Sequence, residues 1–412
     1  MTGEATPFAK RVAVVHDFLT VAIAAMLPLS KRLMPYLIAL WLLASFFRMR
    51  KPAIKQGWEA LVWPVLYYLC VAGWIGMSEN QEAAWFALEV KFSLLLFPVV
   101  WWFLPAVDQR SRVNVLLALV WGCVAMVVLG LGRASYLFLQ NGDGSAFFYS
   151  KLGWFFHPTY LATYDAFALV VLGRMYIRKV YTLGNTLLHY ALAALLVVHV
   201  ALLESKAGFL CIVLGLVLVG WQLLKKRQAL RAVVFTASGV ALLLGAVLAT
   251  PVVKEKLANQ SEEGRIGTLF EAPATELGNG EGSTVGRLVA WRSAFEIIRE
   301  EPFGVGTGDV TDRLVDIYTR DGNAYARRLQ LNAHNQFLQA GVAFGWIGLL
   351  VVIGFFAFGI RRAMLNGDFL FLAFMGLLGL NMLFESFLEV QSGVVFVAFF
   401  YGFFVRSGSS SI

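Results

Sequence analysis

VNVLLALVWGCVAMVVLGL, residues 113–131, carries no charged side chain and lies between Arg110 and Arg112 on one side and Arg133 on the other. At 1.5 Å of rise per residue, a helix of this length matches the roughly 30 Å hydrocarbon core of a bilayer. Backbone groups in lipid must find hydrogen-bond partners within their own segment, so the run is read as a transmembrane helix. Comparable runs recur along the chain, at approximately 12–30, 33–47, 58–77, 84–104, 158–177, 186–204, 207–224, 231–250, 335–360, 367–387 and 391–405. The composition agrees: of 412 residues 59% are hydrophobic and 15% charged, where soluble domains carry about a quarter charged residues. Mean hydropathy is +0.69. The expected fold is all-α, a polytopic membrane protein of about twelve spans.

Basic residues set the expected orientation, because short cytoplasmic loops retain Lys and Arg. They cluster at Lys10 and Arg11, Arg48 to Lys55, Arg110 and Arg112, Arg174 to Lys179, Lys225 to Arg231, and Arg361 and Arg362, with Arg406 near the C-terminus. These loops hold roughly 18 cations and the short loops between them about 5, which predicts cytoplasmic termini. The chain then divides into helices 1 to 9 over residues 1–250, a long periplasmic loop over 251–334, and helices 10 to 12 over 335–412.

The first span follows Lys10 and Arg11 as a signal peptide would, with Ala22 to Ala25 mimicking a cleavage site, but the spans that follow favour a retained helix. Cys70, Cys123 and Cys211 fall inside apolar runs without metal or disulfide spacing and read as packing residues. The chain has no P-loop, no nucleotide-binding glycine motif, no metal-site spacing and no matched transporter halves. Ionisable groups inside spans are functional candidates by default: His16, Asp17, Asp165, Glu204, Glu385 and Glu389. Interfacial solvation accounts for the three glutamates at predicted span ends. A neighbouring cation is the expected partner of Asp165, and His189 and His199 are assigned to packing.

Within the long loop, Glu271 to Thr284 is flexible by composition, with Gly278, Gly280 and Gly282. From Thr284 to Arg299, Leu288, Trp291, Phe295 and Ile298 recur at helix spacing, and Pro302 should stop that helix. Val310 to Gln330 carries Leu314, Ile317 and Tyr318 between charges, as a helix lying on the bilayer surface would. Gly304, Gly306 and Gly308 suit a tight turn after Pro302 better than a phosphate cradle.

The loop ends in Leu331-Asn332-Ala333-His334-Asn335-Gln336, followed at a fixed interval by Gly345 and Gly348. Upstream stand Gly286-Arg287, Trp291 and Pro302-Phe303-Gly304-Val305-Gly306-Thr307-Gly308. In order and approximate spacing this set resembles the signature of the O-antigen ligase and polymerase family of lipid-linked glycan transferases, over about residues 284–348. Phe156-His157-Pro158-Thr159-Tyr160 resembles a family stretch entering a span. Glu204-Ser205-Lys206-Ala207-Gly208 sits where relatives show Ser-Arg-Gly, and its lysine keeps the charge but loses the bidentate fork.

Without the family, His334 would read by default as an interfacial polar residue, but its place is consistent with the resemblance: it lies where a loop re-enters the membrane, and an unperturbed pKa of about 6.5 suits proton transfer at neutral pH. The resemblance implies metal-independent, cofactor-free, inverting glycosyl transfer at the periplasmic face of a bacterial inner membrane. His334 would take the proton of an acceptor hydroxyl, and cations would stabilise a departing polyprenyl pyrophosphate. Arg287, near a helix N-terminus, is the first choice of cation, then Arg265 and Lys206, with Asn335, Arg292 and His157 as further pyrophosphate or sugar contacts. An O-antigen ligase is favoured, moving the glycan from undecaprenyl pyrophosphate to a lipid A-core sugar. A polymerase or protein O-oligosaccharyltransferase of the same family stays open, as does a polyprenyl-lipid transporter that makes no bond. Nucleic acid is not an expected partner.

Overall fold

The computed structural model describes residues 6–50, 57–180, 186–249 and 283–407. Among them there is no strand, and a single isolated bridge joins Val107 to Ser407. The helices are α1 (Pro7–Met26), α2 (Met34–Phe46), α3 (Trp58–Gly73), α4 (Gln81–Lys91), α5 (Ser93–Phe103), α6 (Gln109–Asn141), α7 (Tyr149–Gly153), α8 (Pro158–Arg178) and α9 (Thr186–Leu202). They continue with α10 (Lys206–Lys225), α11 (Ala229–Ala249), α12 (Ser283–Glu300), α13 (Val310–Arg320), α14 (Ala324–Leu329), α15 (Gln336–Leu365), α16 (Phe369–Met382) and α17 (Gln391–Arg406). Every apolar run marked in the sequence falls on a helix or, for 84–104, on the pair α4 and α5.

Among the described residues six stretches are long and apolar enough to cross a membrane: Trp58–Met77, Gln81–Phe103, Gln109–Asn141, Lys206–Lys225, Ala229–Leu248 and Gln336–Leu365. α2, α9, α16 and α17 are shorter apolar helices. Such a set of apolar helices marks a membrane protein, and large side chains such as Leu40, Leu129, Leu230 and Leu350 point outward from it.

At the centre stands α8, buried on every side from Pro158 to Leu172, with α6, α9, α10 and α16 around it. Gly208 lets α10 approach closely, since a Cβ there would lie 2.4 Å from the Ala162 Cβ. A buried Asp165 in such a helix needs a partner. It has one in His199, whose Nδ1 lies 2.7 Å from Oδ2, so His199 is an ion-pair or hydrogen-bond partner rather than a packing residue.

The loops separate into two ends. At one, Arg112 places Nη2 2.7 and 2.8 Å from the two carboxylate oxygens of Asp368, both residues being buried. Nearby Arg50 N–H donates to Phe103 O, Val107 N–H donates to Arg406 O, and Arg48 pairs with Asp17 beside His16. At the other end, Asp309 accepts from the N–H groups of Glu79 and Asn80 at 2.8 Å each, and Lys31 lies over the Phe156 ring. Arg48, Arg50, Arg112 and Arg406, from separate basic loops, thus lie at the first end.

Residues 283–335 fold against the second end. α12 stops at Glu300, before Pro302, but its buried face is Gly286, Val289, Ala290, Ser293, Ala294, Ile297 and Ile298. Phe295, expected on that face, is exposed, because the small residues allow close approach to α15 and leave the large ring outside. α13 differs from expectation too: Val310, Leu314, Ile317 and Tyr318 are buried, and the helix packs on α12 and α14, so its apolar face is spent on protein rather than on a bilayer.

One apolar run hides a break. Gly345, in the middle of α15, has φ +62° and ψ −147°, and the turn after Pro302 is inserted there. Pro302 O accepts from Trp346 N–H at 3.0 Å, while Val305 and Gly306 donate to Val342 O and Ala343 O. A Cβ on Gly345 would stand 1.9 Å from Pro302 O. The amides of Gly304, Gly306 and Gly308 all bond within the protein, to Glu301 O, Ala343 O and Ser78 Oγ, so this segment is a turn and not a phosphate cradle. The break creates a buried half-helix, from Gln336 to Phe344, whose N-terminus opens at the second end.

Candidate functional site

His334 sits just before that half-helix in the left-handed region, at φ +44°. Such a backbone costs a side-chain-bearing residue roughly 1–2 kcal/mol and persists where surrounding contacts fix it. Here Asn332 Oδ1 accepts the His334 N–H at 2.9 Å, Trp291 Nε1 faces its carbonyl at 3.5 Å, and Gln339 Oε1 accepts the Ala333 N–H at 3.1 Å. Asn335 caps the half-helix through Oδ1, which accepts from Phe337 and Leu338, and its Nδ2 donates to Leu383 O at 3.1 Å. The side chain of Asn335 is thus occupied in orienting the loop, leaving little of it for a sugar.

The residue that His334 faces is Glu385, with Nδ1 3.6 Å from Oε1. This corrects the reading of Glu385 as a solvated interfacial carboxylate: it is 7% exposed, because α16 ends at Met382 and the connection to α17 folds inward. Burial pushes its pKa up, but the His334 ring and then the charges of His157 and Arg287 push it down further, and the net position is below that of an ordinary glutamate. Glu389, partly exposed, is also paired: the buried Lys91 donates to its Oε2 at 2.7 Å. Gln336, fully buried, ties the same connection down, accepting from Leu388 N–H at 2.7 Å and donating to the Tyr67 hydroxyl at 2.9 Å.

Arg287 lies one turn into α12, where the helix dipole favours anions. Its charge acts on Glu385, His157 and Tyr149, yet its Nε is buried with no hydrogen-bond partner among the described residues. His157 caps α8, its Nδ1 lying 3.4 Å from Thr159 N. Loss of surrounding water pulls its pKa below the ordinary histidine value; Glu385 opposes this, while His334, Arg287 and Lys31 add to it. Tyr149, also at positive φ, closes the ring of groups: burial and then Glu385 push its hydroxyl up.

Helix starts converge here as well. Ser205 caps α10 and donates to Thr159 Oγ1 at 3.1 Å, which joins the N-termini of α10 and α8. Lys206 is the first residue of α10, on its exposed side. With the half-helix at Gln336, three N-termini present partial positive charge at one end of the bundle.

Of the residues singled out in the sequence, the fold therefore gathers His334, Arg287 and His157 around one carboxylate, with Asn335 as their scaffold. Arg292 is exposed on a different side of α12 from Arg287. Arg265 lies outside the described residues. Glu385, Tyr149, Gln336 and the Lys91–Glu389 pair were not in the expected set. Only the position of Glu385 at the end of an apolar run marked it, since its neighbours come from distant parts of the chain.

No curated protein matches the chain. A family model does: residues 191–353 match the model described as O-antigen ligase. That stretch runs from α9 to the middle of α15, with Lys206, Arg287, His334 and the break at Gly345 inside it, and over it the chain carries the pattern of the O-antigen ligase family.

Proposed function

We propose that the chain is an O-antigen ligase, a metal-independent inverting glycosyltransferase. It would move an O-antigen chain from undecaprenyl pyrophosphate to a sugar hydroxyl of lipid A-core at the periplasmic face of the inner membrane. The family match points to glycosyl transfer of the O-antigen ligase or polymerase type. The observation that supports the finer reading is a buried carboxylate, Glu385, that His334 faces at 3.6 Å and on which the charge of Arg287 also acts.

With Nδ1–H turned to Glu385, His334 offers Nε2 as the proton acceptor. The acceptor O–H gives its proton to Nε2 as the oxygen attacks the anomeric carbon from the face opposite the leaving group. The carbon–oxygen bond to the diphosphate breaks, and its electron pair leaves with the polyprenyl pyrophosphate. Glu385 stabilises the imidazolium that forms, as a carboxylate behind a catalytic histidine does. Arg287 and the clustered helix N-termini stabilise the departing anion, with Lys206, Arg265 and His157 as further contacts. The basic end of the bundle would face the cytoplasm, with both termini, and twelve helices would cross.

Reconstitution tests this directly. Purified protein, undecaprenyl-linked glycan and lipid A-core are incubated, and products are resolved on a gel for wild type and His334→Ala. Ligation by wild type and none by the variant is expected. Elongation of the undecaprenyl-linked glycan alone would make the protein a polymerase. Equal function of His334→Gln would leave a transporter, which needs no proton acceptor.

A further inference from the structure

Beside the site, the connection from α7 to α8 presents Trp154-Phe155-Phe156 immediately before His157. Trp154 is at φ +54°, and its ring stacks on Phe155 with centroids 4.4 Å apart. Each of the three rings carries a cation over its face: Arg133 over Trp154 at 5.3 Å, Arg32 over Phe155 at 5.9 Å and Lys31 over Phe156 at 4.9 Å. These cations come from two separate elements, the turn between α1 and α2 and the far end of α6. α6 continues ten residues past the apolar run 113–131, so Arg133 is carried beyond it.

No carboxylate pairs with Lys31, Arg32 or Arg133 among the described residues; Arg133 donates to the Lys151 carbonyl at 2.9 Å, and the neighbouring Lys151 is the one that pairs with Asp143. Burial among the rings pulls the Lys31 ammonium down from the ordinary lysine value. Aromatic and basic residues at a membrane boundary commonly serve only as an anchor. An anchor, however, has no reason to bring three unneutralised cations from two elements onto one segment, or to set that segment against His157, whose ring feels both Lys31 and His334.

We propose that Lys31, Arg32 and Arg133 form the docking surface for the acceptor glycolipid, gripping phosphate groups at the junction of its sugars and acyl chains. This rests on the transferase reading above and adds to it the face from which the acceptor approaches. The stacked Trp154 and Phe155 rings, both exposed, offer apolar area to the upper acyl chains, and the cations offer counter-charge to the phosphates. A phosphate bound here would be held by Lys31, Arg32 and Arg133, none of which is assigned to the donor diphosphate, so the two anions would not compete for one set of cations.

Binding is measured separately from transfer. Full-length protein in nanodiscs of zwitterionic lipid is titrated with lipid A-core bearing its phosphates and with the same glycolipid after their removal. A triple variant, Lys31→Gln with Arg32→Gln and Arg133→Gln, is compared with wild type. A charge-preserving variant, Lys31→Arg with Arg32→Lys and Arg133→Lys, controls for folding. Wild type should bind the phosphorylated form tighter by on the order of 100-fold, from three cations at a membrane surface. The triple Gln variant should lose that preference, and the charge-preserving variant should keep most of it. Equal affinity for both glycolipids in wild type, an unaffected triple Gln variant, or equal competition by phosphatidylglycerol would each overturn the proposal. Charge-dependent binding in a protein that transfers nothing would leave the surface standing and remove the transferase reading instead.

Discussion

Replacing Glu385 by Gln removes one charge while keeping the shape of the site. Two unit charges at the 3.6 Å separating His334 Nδ1 from Glu385 Oε1 interact by roughly 4–5 kcal/mol at an effective dielectric constant of about 20, and by about 1 kcal/mol in bulk water. The His334 side chain is 24% exposed and that of Glu385 9% exposed, so the pair lies between these limits. Taking about 2–3 kcal/mol as the interaction with an imidazolium that exists only once the proton has moved, kcat should fall roughly 30- to 150-fold. The interaction is stronger in the transition state than with the neutral ring, so the loss should appear in kcat and leave the KM of donor and acceptor nearly unchanged. The assay is initial-rate ligation with purified, reconstituted protein, varying each substrate at saturation of the other. Far-ultraviolet circular dichroism and a melting curve would show that Glu385→Gln is folded. A folded variant with kcat within about twofold of wild type would refute the role of Glu385 behind His334, since even the bulk-water limit predicts a larger loss.

Four further outcomes follow from the geometry. Arg287→Ala should raise the KM of the diphosphate donor and lower kcat while Arg287→Lys restores part of both, read in the same kinetics, because a point charge replaces a fork. Asp368→Asn should lower stability by about 3–5 kcal/mol in a denaturation series, since it leaves Arg112 buried without its counter-charge. Gly345→Ala should cost several kcal/mol or abolish folded protein in a size-exclusion profile, because the new Cβ meets Pro302 O in a positive-φ backbone that also strains alanine. Acid unfolding should show the contribution of Glu385: its folded pKa lies below the unfolded one, so the stability it supplies is fully present above the unfolded value of about 4.3 and is lost as pH falls through the lower folded value. Glu385→Gln should therefore flatten the melting temperature against pH in the range below about 4 and not above it.

How much of this was legible in the sequence depended on which physical term dominated each residue. The apolar runs could be read because lipid imposes one demand on every spanning segment. For α12 the spacing of large apolar residues gave the helix but not the face it buries; next to other helices the small ones pack and Phe295 stays outside. The break at Gly345 left no mark in hydropathy, because a glycine inside an apolar run reads the same whether the helix passes through it or stops. His334 and Arg287 were singled out through the motif, whereas Glu385 was read as solvated because nothing local distinguishes a carboxylate that meets water from one folded back on a histidine.

The break and the site are one construction. A helix continuous through Gly345 would bond the carbonyls of Val342 and Ala343 within itself, and the turn after Pro302 would have nothing to insert against. That turn also receives the Trp74 indole at Phe303 O, places Gly308 N–H on Ser78 Oγ and donates from Thr307 Oγ1 to Val71 O, so it locks α12 to α3 and the segment after it. α12 carries both Arg287 and Trp291, and Trp291 reaches the His334 carbonyl. The half-helix before the break starts at Gln336 with Asn335 as its cap, and the two hold the connection bearing Glu385. His334, Glu385 and Arg287 are thus each fixed by an element that meets the others at residues 302–308 or 335–336. Loosening the turn at Gly304, where a Cβ would lie 2.4 Å from Ala343 O, should disturb all three together, whereas Glu385→Gln disturbs one. On the proposed reading, a substitution that loosens the break should therefore lower transfer more than one that removes a single side chain of the site.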